Sequence, residues 1–225
     1  AGKIIFKHCF NLRYASYGVK RKFIAENCTR PELEKYFVTH LNFVDYRIKY
    51  DEKLLINSYV AEVLPQILDF SDNYNKVLLR ADTGRGKTTA FIKDFQKHRP
   101  NSRLLILVPL TIISDQNEKD YGSKVVFLTG QSDGFAHEKA RKANIVLATY
   151  EQGTKHLAHH TFDYLVIDEA HQLIVANSFK ANVIRELTAL FKESKIIGLT
   201  GTPSEVFSLL GYKLLDVDVE KPKQM

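Results

Sequence analysis

From Lys76 onward the chain alternates short, uninterrupted apolar runs with helix-length segments of mixed character, and this rhythm limits the available folds more than any other feature. The runs are Lys76–Ala81, Arg103–Val108, Lys124–Leu128, Ile145–Thr149, Tyr164–Asp168 and Lys195–Leu199. Most of them lack apolar–polar alternation, as strands buried on both faces should. Between them, Lys87–Lys97 and Asn177–Lys192 carry the spacing of amphipathic helices. The expectation is an α/β fold, a parallel sheet flanked by helices on both faces. Tyr212–Glu220 reads as one more strand or an exit linker, and residues 221–225 as a disordered tail.

Two of the strand ends carry chemistry. Ala81-Asp82-Thr83-Gly84-Arg85-Gly86-Lys87-Thr88 follows the first apolar run and opens a helix that continues through Thr89. Gly84 and Gly86 let the backbone turn tightly and approach phosphate without a Cβ clash. Successive N–H groups and the helix N-terminus then form an anion cradle. Lys87 is placed to reach the β- and γ-phosphates of a nucleotide. The Thr88 hydroxyl suits a hard cation such as Mg2+. Asp168-Glu169-Ala170-His171 ends another apolar run. Asp168 is expected to hold Mg2+, and Glu169 to orient or deprotonate the attacking water. His171 either couples the nucleotide site to the rest of the domain or is a helix-start histidine with a local partner. Thr200-Gly201-Thr202-Pro203 ends the last core run. It either bonds the acidic pair and senses the γ-phosphate, or is a plain strand-to-helix turn with Pro203 at the first helical position.

Residues 1–75 lack the rhythm. Thr29 before Arg30-Pro31-Glu32 marks a helix start. Apolar spacing over residues 54–70 predicts a helix leading into the sheet, interrupted by Pro65, and Ser71–Asn75 reads as the turn after it. The formal charge of +6 lies wholly in residues 1–50, which hold ten Lys/Arg against four Asp/Glu, together with ten aromatics. That mixture fits phosphate contact and base stacking, or equally a small accessory domain with a solvated basic face. Cys9 and Cys28 have no C-x-x-C spacing, which argues for a reducing compartment. With His8 and His40 they match no familiar zinc finger. No apolar run approaches the ~20 residues of a membrane span. The expected setting is therefore intracellular and soluble, with no membrane partner. The expected division is a basic, aromatic-rich accessory region over 1–53, a nucleotide-binding domain over 54–220, and the tail.

Taken together, these segments resemble the superfamily 2 helicases and translocases, specifically the first of their two RecA-like motor domains. Ala81–Thr88 matches that family's motif I, Asp168–His171 the DEAH form of motif II, and Thr200-Gly201-Thr202 motif III. Val108-Pro109-Leu110-Thr111 with Gln116 is similar to motif Ia, and Ala148-Thr149-Tyr150-Glu151 falls where motif Ib belongs. The resemblance covers about residues 55–215. It implies a RecA-like P-loop domain that binds ATP and Mg2+. It also implies contact with DNA or RNA through Pro109, Leu110, Thr111, Thr149 and Tyr150, coupling through His171 and Thr200–Thr202, and adenine reading by Gln66. The family's second RecA-like domain, which supplies arginine fingers, does not fit in the stretch after Pro203. The chain alone is therefore expected to hydrolyse ATP slowly or not at all. Competing readings are a P-loop switch or assembly ATPase without translocation, and a nucleic-acid or protein docking module built on residues 1–50.

Overall fold

The computed structural model describes residues 48–109, 125–172, 189–204 and 206–220. The expected accessory region before residue 48, Leu110, Thr111, Gln116, most of the expected helix over Asn177–Lys192, and the tail lie outside these residues.

Strand β1 (Glu52–Ile56) leads through a 3-10 turn (Val60–Val63) into α1 (Leu64–Asn73) and β2 (Lys76–Arg80). Helix α2 (Lys87–His98) and strands β3 (Leu104–Val108) and β4 (Val125–Leu128) follow. Next come α3 (Gly134–Lys142), β5 (Ile145–Thr149), α4 (Tyr150–Leu157) and β6 (Tyr164–Ile167). The described chain closes with β7 (Lys195–Thr200), α5 (Val206–Leu209) and β8 (Lys213–Val219). The eight strands form one sheet in the order β1-β8-β2-β7-β6-β3-β5-β4, parallel throughout. All six expected strands are present, and their ends differ from expectation by at most one residue.

The continuous apolar runs have the cause their composition suggests. In β3, Leu104, Ile106 and Val108 enter the core under α1 and α2, while Leu105 and Leu107 enter the core under α3, α4 and α5. A strand with no wet face needs no polar positions. Helix α2 is held to the first core by Phe91 and Phe95, both fully buried. Burial of a phenylalanine side chain stabilises by about 1.5–3 kcal/mol. At the far side, the Arg103 guanidinium donates to the carbonyls of Thr161 (2.8 Å), Arg141 (2.7 Å) and Ala143 (3.2 Å). That ties the end of α3 to the approach to β6.

Three expectations for the N-terminal side need correction. Residues 54–56 are strand, not helix: Leu54, Leu55 and Ile56 pair with Val217, Asp218 and Val219 of β8. The apolar spacing of residues 54–70 spans a strand, a bend and a helix that share one core. Pro65 does not break α1 but sits in its first turn, where the missing N–H costs nothing. Ser71 to Asn73 belong to α1, so the turn before β2 is only Tyr74 and Asn75. Tyr212–Glu220 resolves in favour of strand, since β8 lies between β1 and β2. The expected boundary between residues 53 and 54 falls inside β1, and Ile48 and Tyr50 already pack against the second core.

Candidate functional site

Strands β2, β7 and β6 are consecutive neighbours in the sheet, so their carboxyl ends carry the three expected motifs side by side. In open parallel sheets ligands bind at this edge. The Ala81 N–H donates to the Thr200 carbonyl (3.1 Å), and the Ala170 N–H to the Leu199 carbonyl (2.8 Å). A Cβ on Gly201 would lie 3.5 Å from Thr83 Oγ1 and 3.6 Å from the Ala81 carbonyl oxygen. The loop and the Thr-Gly-Thr segment are therefore in close approach.

The loop has the backbone its sequence requires. Gly84 (φ 80°) and Gly86 (φ 65°) are both left-handed, where a Cβ would be strained, and Gly86 is the N-cap of α2. The first N–H groups of any helix lack intrahelical acceptors, so the start of α2 offers donors to an anion. Lys87 is only 8% exposed. Its ammonium donates to the carbonyls of Ala81 (2.9 Å) and Asp82 (3.1 Å). Burial pushes its pKa down, against the charges of Glu169, Asp168 and Asp82. Arg85 is anchored rather than free, its Nη1 donating to the Ser58 carbonyl (3.4 Å) while the Val60 N–H donates to the Arg85 carbonyl (3.0 Å).

Asp168, 4% exposed, faces this loop. The Thr88 hydroxyl donates to its Oδ2 at 2.7 Å, across 80 residues of sequence. Its Oδ1 accepts from the Glu169 N–H (3.0 Å). Burial holds the Asp168 carboxyl above its ordinary pKa, and the Thr88 and Glu169 donors oppose that shift. Glu169 has φ 48°, the one left-handed non-glycine among the described residues. Such a backbone costs roughly 1–3 kcal/mol and persists only where its surroundings hold it. His171 Nδ1 lies 3.2 Å from both Thr200 Oγ1 and Glu169 Oε2. Thr200 Oγ1 also accepts from the Thr202 N–H (3.0 Å). His171 thus has both a local partner, Glu169, and one at the end of β7, Thr200. The donor set fits a magnesium nucleotide: a buried carboxylate and a hydroxyl for a hard cation, and a buried ammonium beside left-handed glycines for phosphate.

Other expected site residues lie elsewhere. Gln66 is exposed on α1. The segment that touches the loop is Ser58–Val60 instead, with Tyr59 Cδ1 3.6 Å from where a Cβ on Gly86 would stand. Thr149 and Tyr150, expected on nucleic acid, turn inward. Thr149 is 3% exposed and its Oγ1 caps α4 by accepting from the Gln152 N–H (3.3 Å). The Tyr150 hydroxyl donates to the Asp168 carbonyl. Pro109 is buried. Sequence reasoning did not find Arg80, whose guanidinium bridges Asp82 (2.6 Å) and Asp216 (3.2 Å) and steadies the base of the loop. The signal available was local: an Arg at the strand end two residues before an Asp.

Residues 53–205 match the family model described as "Type III restriction enzyme, res subunit". The Arabidopsis thaliana protein named ATP-dependent DNA helicase DDM1 is 26% identical over 186 residues, covering 72% of this chain and 24% of that protein. Two solved structures share the fold at 19% identity: the helicase domain of Pyrococcus furiosus Hef and a DEAD box protein from Methanococcus jannaschii. The Hef match has a TM-score of 0.52 and covers 71% of this chain and 39% of that one. The DEAD box match has a TM-score of 0.50 and covers 67% of this chain and 47% of that one. The parallel eight-stranded sheet flanked by helices is thus like those of RecA-like helicase cores. The chain spans about a quarter of the length of the curated relative it matches.

Proposed function

We propose that this chain, which belongs to the type III restriction enzyme res subunit family, is the first RecA-like motor domain of a DEAH-type superfamily 2 helicase or translocase. It binds ATP with Mg2+ and couples hydrolysis to movement on DNA or RNA. The motor unit takes in residues from about Ile48, which packs on the second core, to Glu220. It works with a second RecA-like domain, and residues 1–50 serve nucleic acid or a protein partner. The named activity of DDM1 and the helicase folds of the two solved structures support this reading.

The observation that carries the proposal is the 2.7 Å contact between Thr88 Oγ1 and Asp168 Oδ2, with Lys87 buried beside them. Thr88 and Asp168 are the oxygen donors for Mg2+. Lys87 exchanges the Ala81 and Asp82 carbonyls for phosphate oxygens. Glu169 aligns the attacking water and accepts its proton. His171 and Thr200 relate the position of Glu169 to the Thr200–Thr202 segment. The nucleotide is the source of the phosphoryl group, and Mg2+ held by Thr88 and Asp168 would supply positive charge against the charge that develops on transfer.

Phosphate release by the full-length protein with nucleic acid present tests this. Glu169→Gln is expected to lower kcat by at least about 10²-fold while ATP binding is retained, since the loss falls on the transition state. Lys87→Ala is expected to lose ATP binding as well. Wild-type turnover in Glu169→Gln would sink the proposal.

A further inference from the structure

Tyr150 is the first residue of α4, on the far side of β3 from the phosphate loop in the strand order. Its side chain does not face outward. The hydroxyl donates to the backbone carbonyl of Asp168. That carbonyl belongs to the peptide joining Asp168 to Glu169, and every other group around this peptide is also held. The Asp168 N–H donates to the Leu107 carbonyl (2.8 Å). The Glu169 N–H donates to Asp168 Oδ1 (3.0 Å), and the Ala170 N–H to the Leu199 carbonyl (2.8 Å). Glu169, with its left-handed φ, lies within this enclosure, and such a backbone persists only where its surroundings hold it.

The start of α4 is itself firmly seated. Thr149 caps it, and Gly153 lies so close to Leu107 that a Cβ there would come 2.3 Å from Leu107 Cδ2. Leu107 is also the residue whose carbonyl receives the Asp168 N–H. Helix α4 is therefore connected to the acidic pair by two routes, through Leu107 of β3 and through the Tyr150 hydroxyl.

We propose that Tyr150 is a positioning residue for hydrolysis: its hydroxyl orients the Asp168–Glu169 peptide, sets the direction of the Glu169 carboxylate, and ties that direction to the position of α4. This rests on the reading of the site as an ATPase. The test compares full-length wild type, Tyr150→Phe, Thr154→Ala and Glu169→Gln in nucleic-acid-stimulated ATP hydrolysis, with melting temperatures for each. Tyr150→Phe removes one oxygen and keeps the ring. The expected result is a fall in kcat of about tenfold, one hydrogen bond's worth, with KM for ATP and melting temperature unchanged. Thr154 is on the same helix and its hydroxyl donates to the Tyr150 carbonyl (2.7 Å), within α4 itself, so Thr154→Ala is expected to keep wild-type kcat. An unchanged kcat in Tyr150→Phe overturns the inference. So does an equal fall in Thr154→Ala, or a fall accompanied by a lowered melting temperature, since either marks general loosening of α4. An inactive wild type or an active Glu169→Gln overturns the ATPase reading, and the role of Tyr150 falls with it. With an active wild type and an inactive Glu169→Gln, the ATPase reading stands, and the kcat of Tyr150→Phe alone decides the role of Tyr150.

Discussion

Gly153 shows how much a single position in this molecule is decided by what lies across from it. In isolation, Gly153→Ala should strengthen α4, since alanine is favoured in a helix interior by about 1 kcal/mol. Here the added methyl would meet Leu107 Cδ2 at 2.3 Å, and Leu107 is fully buried between neighbouring strands and helices. Overpacking a tight core costs about 1–3 kcal/mol, so the clash outweighs the propensity gain. Gly153→Ala is expected to destabilise the protein by about 1 kcal/mol in urea denaturation. Gly130→Ala, where nothing lies within 4 Å, should be near neutral. At this scale the loop was legible, because the left-handed backbone at Gly84 and Gly86 is one that glycine adopts without strain. The inward turn of Thr149 and Tyr150 was not. A motif position says which loop a residue occupies; the side chain of Thr149 is turned in by capping α4, and that of Tyr150 by Asp168, brought in from another strand.

Among the elements, the bend between β1 and α1 shapes the wall beside the phosphate loop. The exposed Glu62 carboxylate accepts the N–H groups of Asn57, Ser58 and Tyr59, each at 2.8 Å. These bonds, led by Tyr59, hold its pKa below the ordinary glutamate value. A depressed folded pKa means that the stabilisation is complete above the unfolded value of about 4.5 and is lost as pH falls through the folded one. Glu62→Ala is therefore expected to show a flatter fall of stability on acidification than wild type, measured by urea denaturation between neutral pH and about pH 3. Parallel curves would remove Glu62 from this role. This bend was hidden in the sequence because apolar residues at helical spacing run straight through it. Strand β1 is short and its partner β8 lies some 160 residues away, so no local periodicity could separate strand from helix. The six core strands were legible for the opposite reason: burial on both faces writes itself into each run without reference to a partner.

In the proposed motor, the ends of β2, β7 and β6, which are neighbours in the sheet, form one wall of the catalytic cleft. An arginine delivered from a second domain contributes about 10³–10⁵ in rate in related phosphoryl-transfer enzymes. The 225-residue chain by itself is therefore expected to bind ATP but to release phosphate at a small fraction of the full-length rate, with nucleic acid present in both assays. Robust stimulated turnover by the chain alone would show that the wall suffices. By itself the sequence determined the βα rhythm, the parallel sheet, the phosphate loop and the acidic pair, because each follows from short-range requirements of burial, backbone freedom and charge. The strand order, which places Thr88 2.7 Å from Asp168 and Thr200 3.2 Å from His171, was decided only by the tertiary structure. So were the left-handed backbone of Glu169 and the link from Tyr150 to Asp168. The physical reason is that these contacts join residues 18 to 80 positions apart, and their geometry is fixed by which strands lie side by side.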